Sequence, residues 1–293
     1  MMKRMTSLIL AIVLAATAHA EDVNRSIDAA SDGHVDVSNI SGSVTMHGWS
    51  RNSVEVTGTL GRNVEELIVE RDGDKVLIKV KVPHKRGRAI DSDLRINVPK
   101  NSSIDVGTVN ADITVSDVNG SQGLHTVSGD VETEYYGGRL TAESVSGDVD
   151  VDGNNADGDI TATTVSGDVT LVRVSGEVRA EAVSGDIIVD EGSFDRVGLE
   201  TVNGEIVFEG NLRDDGRLSA NSVNGDVDIE FTGSLSARFE IETFNGSIRN
   251  CFGPKPERTS KYAPGLELEF KHGGGDGRVS IETLNGDVNI CKK

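Results

Sequence analysis

Apolar and polar residues alternate along this chain in short bursts that break at the same place each time. After Gly138 the positions Leu140, Ala142 and Ser144 share one parity, and Val145 steps out of it. After Gly158 the set is Ile160, Ala162, Thr164 and then Val165, and after Gly216 it is Leu218, Ala220, Ser222 and then Val223. Side chains of one parity face one side of a strand, so three inward positions followed by a parity break predict a strand that ends at a corner. Beyond each corner alternation resumes, as in Val149 and Val151 or Val227 and Ile229. Strands of about five residues, separated by tight corners, are the expected elements throughout.

The corners repeat. Val127-Ser128-Gly129-Asp130-Val131 recurs at 145–149, 165–169 and, with Ile187 closing it, at 183–187. It continues as Val202-Asn203-Gly204-Glu205-Ile206 and Val223-Asn224-Gly225-Asp226-Val227, and in weaker form at 244–248 and 284–288. Upstream relatives stand at 40–44 and 109–113. From Gly129 to Gly246 the corner glycines are 18, 20, 18, 19, 21 and 21 residues apart, and a second glycine precedes many of them by nine. Such a period predicts an all-β chain wound as a parallel β-solenoid, one coil per repeat and two strands per coil. Right-handed winding is the expected hand of parallel connections. One coil cannot bury its inward face alone, whereas stacked coils build a continuous core. Ser-Gly and Asn-Gly fit a corner that needs positive φ. Stacking in register would align Thr126, Ser144, Thr164, Thr201, Ser222, Thr243 and Thr283 as a buried hydroxyl ladder. The expected organisation is a leader over 1–20, an N-terminal β region that caps the edge over 21–105, core repeats over 106–250 and a C-terminal cap over 251–293.

Cys251 and Cys291 are the only cysteines, and each lies five residues after its corner glycine. Gly246 and Gly286 are 40 residues apart, which is two coils or one coil with an insertion. Pro254, Pro256 and Pro264 crowd the interval, which favours an insertion with a hairpin near 266–270. The cysteines then sit on adjacent strands, within disulfide range.

Composition supports an exported coil stack. Lys3 and Arg4, an apolar run from Leu8 to Ala16 and Ala18-His19-Ala20 read as a secretory leader cut before Glu21. The run is too short for a membrane span, and no later stretch suits one. A single Trp and 34 glycines fit a narrow core of Val, Ile, Leu and Ala. A formal charge of −19 argues against nucleic acid and anionic lipid as partners.

Three constellations could carry chemistry. The corner acids Asp130, Asp148, Asp168, Asp186, Glu205 and Asp226 would stack along one edge, either as a calcium-binding ladder or as caps for their own turns. Lys79, Lys81, His84, Lys85, Arg86 and Arg88 form a basic cluster that could dock an anionic envelope partner or simply be solvated. Trp49, in His47-Gly48-Trp49, could stack on a sugar or plug the first coil. Catalysis finds no footing. The histidines have no zinc-ligand spacing, no nucleophile elbow or phosphate loop is present, and the hydroxyl ladder lacks a partnered base.

The iterated corner, the His47-Gly48-Trp49 segment and the closing Leu284-Asn285-Gly286-Asp287-Val288-Asn289-Ile290 resemble the bacterial β-strand-repeat "putative adhesin" family of unknown function. The resemblance covers most of residues 30–291. It implies a solenoid, an envelope or extracellular location and no catalytic residues to carry over. The expected function is therefore a non-enzymatic exported protein of the periplasm or cell surface that binds an envelope protein or glycan, or serves as a scaffold. The alternatives are a calcium-dependent, lyase-like polysaccharide enzyme, for which Arg173 and Arg179 stand without an obvious site, and an envelope-stress signalling accessory.

Overall fold

The computed structural model describes residues 21–83, 90–260 and 264–293. The expected leader, and His84, Lys85, Arg86 and Arg88 of the basic cluster, lie outside them. The described residues contain no helix. The strands are β1 (Glu21–Asp28), β2 (His34–Trp49), β3 (Ser53–Leu60), β4 (Glu66–Asp72), β5 (Lys75–Lys81), β6 (Ser92–Pro99), β7 (Ser103–Ser116), β8 (Gln122–Ser128) and β9 (Val131–Glu134). They continue as β10 (Gly138–Ser146), β11 (Val149–Asp152), β12 (Asp157–Ser166), β13 (Val169–Val172), β14 (Ser175–Ser184), β15 (Ile187–Asn203) and β16 (Ile206–Asn224). The last are β17 (Val227–Phe231), β18 (Ala237–Asn245), β19 (Ile248–Asn250), β20 (Glu257–Arg258), β21 (Leu266–His272), β22 (Gly277–Asn285) and β23 (Val288–Lys292).

The chain is a flattened parallel β-solenoid with two strand faces joined at the glycine corners. On one face β8, β10, β12, β14 and the second halves of β15 and β16 stack in register, with Ala142 over Ala162 over Ala180 over Leu199 over Ala220. On the other face β9, β11, β13, the first halves of β15 and β16, and β17 stack likewise. Inward positions such as Leu140, Ala142, Val149 and Ile160 are fully buried between the faces. Six of the seven phenylalanines lie in one chain of ring contacts at the C-terminal end: Phe194, Phe208, Phe231 and Phe239 at centroid spacings of 5.4 to 6.1 Å, then Phe270 and Phe252. Rings in edge-on and stacked contact thus fill the core at that end.

Strand order departs from sequence order at both ends. β22 and β23 do not stack outside β18 and β19. They slide between them and the β16–β17 coil, so Arg217 pairs with Arg278, and Arg278 with Arg238. The interval between the two coils holds β20 and β21, which run antiparallel, with β21 closing the outer edge of β18. Cys251, just past β19, and Cys291 of β23 are then lateral neighbours, joined in a disulfide with Cα atoms 4.9 Å apart. At the other end β2 is sandwiched between β7 and the outer coil of β5 and β6, while β1, β3 and β4 add antiparallel edges. Residues 21–105 therefore hold two parallel coils with antiparallel edge strands, and β7 runs across the 105/106 division. The outer coil escaped the repeat pattern because the sequence between β5 and β6 carries no Ser-Gly-Asp.

Trp49 does not plug a coil. It is half-buried at the end of β2, where its indole N–H donates to the Ser53 carbonyl at 2.8 Å and the Arg51 guanidinium sits 4.8 Å over its ring.

Candidate binding face

The corner chemistry comes first, because it decides what the repeated polar residues are free to do. Each corner glycine stacks directly on the one below. A Cβ on Gly204 would lie 2.6 Å from the Gly185 carbonyl carbon, and one on Gly225 would meet the Gly204 carbonyl as closely. Close coil approach, more than positive φ, is why these positions are glycine: Gly129, Gly147 and Gly167 have φ of 152° to 157°, while Gly185, Gly204, Gly225 and Gly286 lie outside the left-handed range. The predicted hydroxyl ladder exists and is fully employed. Thr164 Oγ1 donates to the Gly147 carbonyl at 3.0 Å, Thr201 to Gly185 at 3.1 Å and Thr283 to Gly225 at 3.1 Å, each reaching back one coil. Ala182 interrupts it.

The acid ladder is turn chemistry of a similar kind, with one change from expectation: each aspartate carboxylate caps the next coil's corner, not its own. The amide of Asp148 donates to Asp130 Oδ1 at 3.0 Å, that of Asp168 to Asp148 at 2.9 Å, that of Asp186 to Asp168 at 2.8 Å and that of Glu205 to Asp186 at 2.7 Å. Asp226 does the same for Asp287. Glu205 is one methylene longer and stands against Asp228; desolvation first, then that neighbouring carboxyl, push its pKa up. Desolvation, with Asp148, Glu132 and Asp130 nearby, also raises Asp150. Among the described residues no three carboxylate, imidazole or thiol groups converge as a metal site would require. The carboxylates of Asp130, Asp148, Asp168 and Asp186 are instead engaged with backbone amides. From Asn203 onward the exposed corner residue is Asn, and the amides chain from Asn224 to Asn203, Asn285 to Asn224 and Asn245 to Asn285 at 2.9 Å each.

The remaining sequence candidates are dispersed. Lys79 and Lys81 project outward from β5, with Lys81 Nζ 3.8 Å from Glu65. Arg173 pairs with Asp152, and Arg179 with Glu181 and Glu200. His47 and His125 pair with Asp117 and Glu143 on neighbouring coils. Ser116 Oγ lies 3.1 Å from His47 Nδ1, and the same ring nitrogen stands 3.4 Å from Asp117, at an exposed edge between neighbouring coils.

What the structure brings together is a feature that sequence reasoning passed over. The residue that breaks parity before each corner points to solvent. Val109, Val127, Val145, Val165, Val183, Val202, Val223, Leu284 and Phe244 are each 38 to 48% exposed. The strand register stacks them in that order into one apolar ladder. β-propensity alone does not account for it, since Leu284 is neither β-branched nor aromatic and Thr would serve as well as Val. Two residues away on the same face runs a row of acids, Glu143, Glu181, Glu200, Glu282 and Glu242. From Val165 to Phe244 the two rows line an open groove of about 760 Å³, with Thr259 and Gly265 of the β20–β21 segment at one end. A contiguous apolar strip edged by charge marks an interaction surface where scattered apolar residues would not. The parity break was the available signal, but it also marks a corner, and only the burial of its neighbours separates the two meanings.

A stack of parallel coils with an outward apolar ladder along its side defines a β-solenoid repeat protein. Its sequence matches the family model described as Toastrack DUF4097 over residues 14–201 and 174–291, and the chain belongs to that family. None of the curated proteins matches it. Among solved structures it is similar to a protein described as a "putative adhesin" from Bacteroides fragilis, at 11% identity and TM-score 0.42, covering 94% of this chain and 99% of that one. It is also similar to a "putative cell adhesion protein" from Clostridium sporogenes, at 11% identity and TM-score 0.24 over 93% and 100% of the chains. A third is a "putative lipid binding protein" from Parabacteroides distasonis, at 13% identity and TM-score 0.32 over 92% and 96%. No helix among the described residues is long and apolar enough to cross a membrane.

Proposed function

We propose that this chain is a non-enzymatic, exported protein of the cell envelope that holds a partner along its exposed apolar ladder. The observation that carries the reading is the ladder itself: nine outward apolar side chains in register, at positions the fold would accept as polar. The acid row beside it favours a partner segment that is apolar on one edge and cationic on the other. Export is supported by the leader-like N-terminus and by the Cys251–Cys291 disulfide, which suits an oxidising compartment. The corner carboxylates engaged with backbone amides and the ladder hydroxyls engaged with carbonyls support binding over turnover at the repeated positions.

The test places a photo-crosslinking residue at Val202, and separately at Asp150 on the other strand face, in the protein expressed in its host. Adducts from position 202 alone, lost when Val165, Val183 and Val223 become Ser, support the reading. Equal adducts from both positions, or release of new reducing ends from envelope polysaccharide by the purified protein, refute it.

A further inference from the structure

Outward residues of the ladder face also align in a second column, six positions upstream of the apolar one. There the strand register brings Arg196, Arg217, Arg278, Arg238 and Lys271 onto five successive strands. Adjacent strands lie about 4.8 Å apart. All five side chains are exposed. Arg196 is committed to Glu177 at 3.1 Å, whereas Arg217, Arg278 and Arg238 make no ion pair with a described residue. Such a column is unexpected in a chain of formal charge −19, where arginines at the N-terminal coils of the same face are paired with acids, as Arg139 is with Asp159 at 3.3 Å. Like charges on adjacent strands repel, so the column is unfavourable in isolation and favours an anion laid across it.

The neighbouring columns narrow the choice of anion. Beside the arginines the face carries Gly198, Ser219 and Ser280, small residues that form a shelf. A Cβ on Gly198 would meet nothing within 4 Å, so the shelf is open. Beyond the shelf runs the acid row, in which Asn221 and Glu282 stand on the strands of Arg217 and Arg278, between Glu200 and Glu242, and can accept from or donate to hydroxyls. Toward the outer edge Glu240 and Glu269 enter the shelf column, so Arg217 and Arg278 are the centre of the site. A guanidinium row, a small-residue floor and an amide and carboxylate row suit a thin polymer with an anionic group on each unit and hydroxyls on its other edge. A duplex nucleic acid is too broad to avoid the flanking acid row.

We infer that Arg217, Arg278 and Arg238 bind a linear acidic polysaccharide, one carboxylate or sulfate per sugar, lying along the solenoid axis with its hydroxyl edge over Ser219 and Ser280. The site does not use the apolar ladder, so its failure would leave the proposed function standing. The recognition is bidentate guanidinium to carboxylate, a geometry lysine does not reproduce.

The test uses the chain from Glu21 onward with polygalacturonate, its fully methyl-esterified form, a sulfated glycosaminoglycan, inorganic phosphate and vesicles of anionic phospholipid, measured by calorimetry at low and moderate salt. The expected result is binding of the acidic polymers that weakens with salt and is absent for the ester. The triple substitution Arg217→Ser, Arg278→Ser, Arg238→Ser should weaken it by roughly tenfold, about 1.4 kcal/mol, with the melting curve unchanged. Ser219→Leu with Ser280→Leu should weaken it comparably while leaving every charge in place, which bare electrostatic attraction would not do. The inference is overturned if no acidic polymer binds, if the ester binds as well, or if the triple substitution changes nothing. It is equally overturned if vesicles bind through these arginines and polymers do not, which would make the column a lipid-headgroup surface.

Discussion

Gly204→Ala should be among the most damaging single changes this fold can suffer, although it adds one methyl at a surface corner. The new Cβ would sit 2.6 Å from the Gly185 carbonyl carbon, against backbone that has no rotamer to yield. The corner of coil 194–210 would have to lift from the one below, and the bonds at stake can be named. They are the Gly185 amide to the Asn203 carbonyl at 3.0 Å, the Glu205 amide to Asp186 Oδ1 at 2.7 Å and Thr201 Oγ1 to the Gly185 carbonyl at 3.1 Å. At about 1–2 kcal/mol for each of the three bonds left unmade at a partly wet corner, the loss is about 3–6 kcal/mol. Gly198→Ala is the matched control. It lies in the same coil on an extended strand, and its added Cβ would touch nothing within 4 Å. Restricting the unfolded chain there should stabilise by roughly 0.4–1 kcal/mol. Urea unfolding followed by circular dichroism, with hydrogen exchange to locate the loosened coils, reads both. If Gly204→Ala stays within about 1 kcal/mol of the parent, or if Gly198→Ala is equally destabilising, corner stacking is not what requires glycine.

Three further outcomes follow from the same geometry. Reducing the disulfide, or replacing Cys251 and Cys291 by Ser, frees a loop of 40 residues and should remove about 4 kcal/mol in the chain-entropy account, seen as early melting confined to β18 through β23. Asp168→Asn keeps an oxygen for the Asp186 amide and should change stability by under about 1 kcal/mol, while Asp168→Ala strands that amide and should cost about 1–2 kcal/mol; calcium should move neither melting point, and a calcium-dependent rise of several degrees in the parent would restore the metal edge. Glu205 has a folded pKa above its unfolded one, so the folded chain holds that proton more tightly and its ionisation destabilises the fold as pH rises through the folded value. Glu205→Gln should therefore raise the melting point at neutral pH, and the gain should close as pH falls through the folded value toward the ordinary carboxylate range, as the parent residue takes up its proton; a gain that persists in acid would assign the effect to packing.

The coil was legible because a solenoid writes its cross-section once per period. The inward triplet Leu140, Ala142 and Ser144 with its corner recurs often enough to define both faces and the stacking register. The cysteines were legible for the same reason, being equidistant from equivalent glycines. What the period cannot encode is which coil lies on which. Every coil presents nearly the same edge, so nothing in Gly246 or Gly286 says that the later coil is the inner one. The arginine column is invisible in sequence order, because Arg217, Arg238 and Arg278 become consecutive only after β22 is placed between β16 and β18. The acid ladder was read at the right positions with the wrong partner, since a carboxylate that reaches its own turn and one that reaches the next coil differ by a single strand spacing.

The exchanged order at both ends has a physical rationale. A parallel stack must stop somewhere, and its last strand offers a row of unpaired amides and carbonyls that templates edge-to-edge association. Here β18 and β5 each take an antiparallel partner from the segment next to them in sequence, β21 and β4, so the outermost coil arrives with one face already closed. The coil that follows in sequence must then fill the inner place, because the outer one is taken. The same step explains the disulfide. The other face of the terminal coil keeps only β19, three residues long, and the Cys251–Cys291 bond anchors it to β23 where no capping strand does. With both ends closed in this way, the long side of the stack is left as the surface on which partners can be met, and there the chain has placed its apolar and arginine columns.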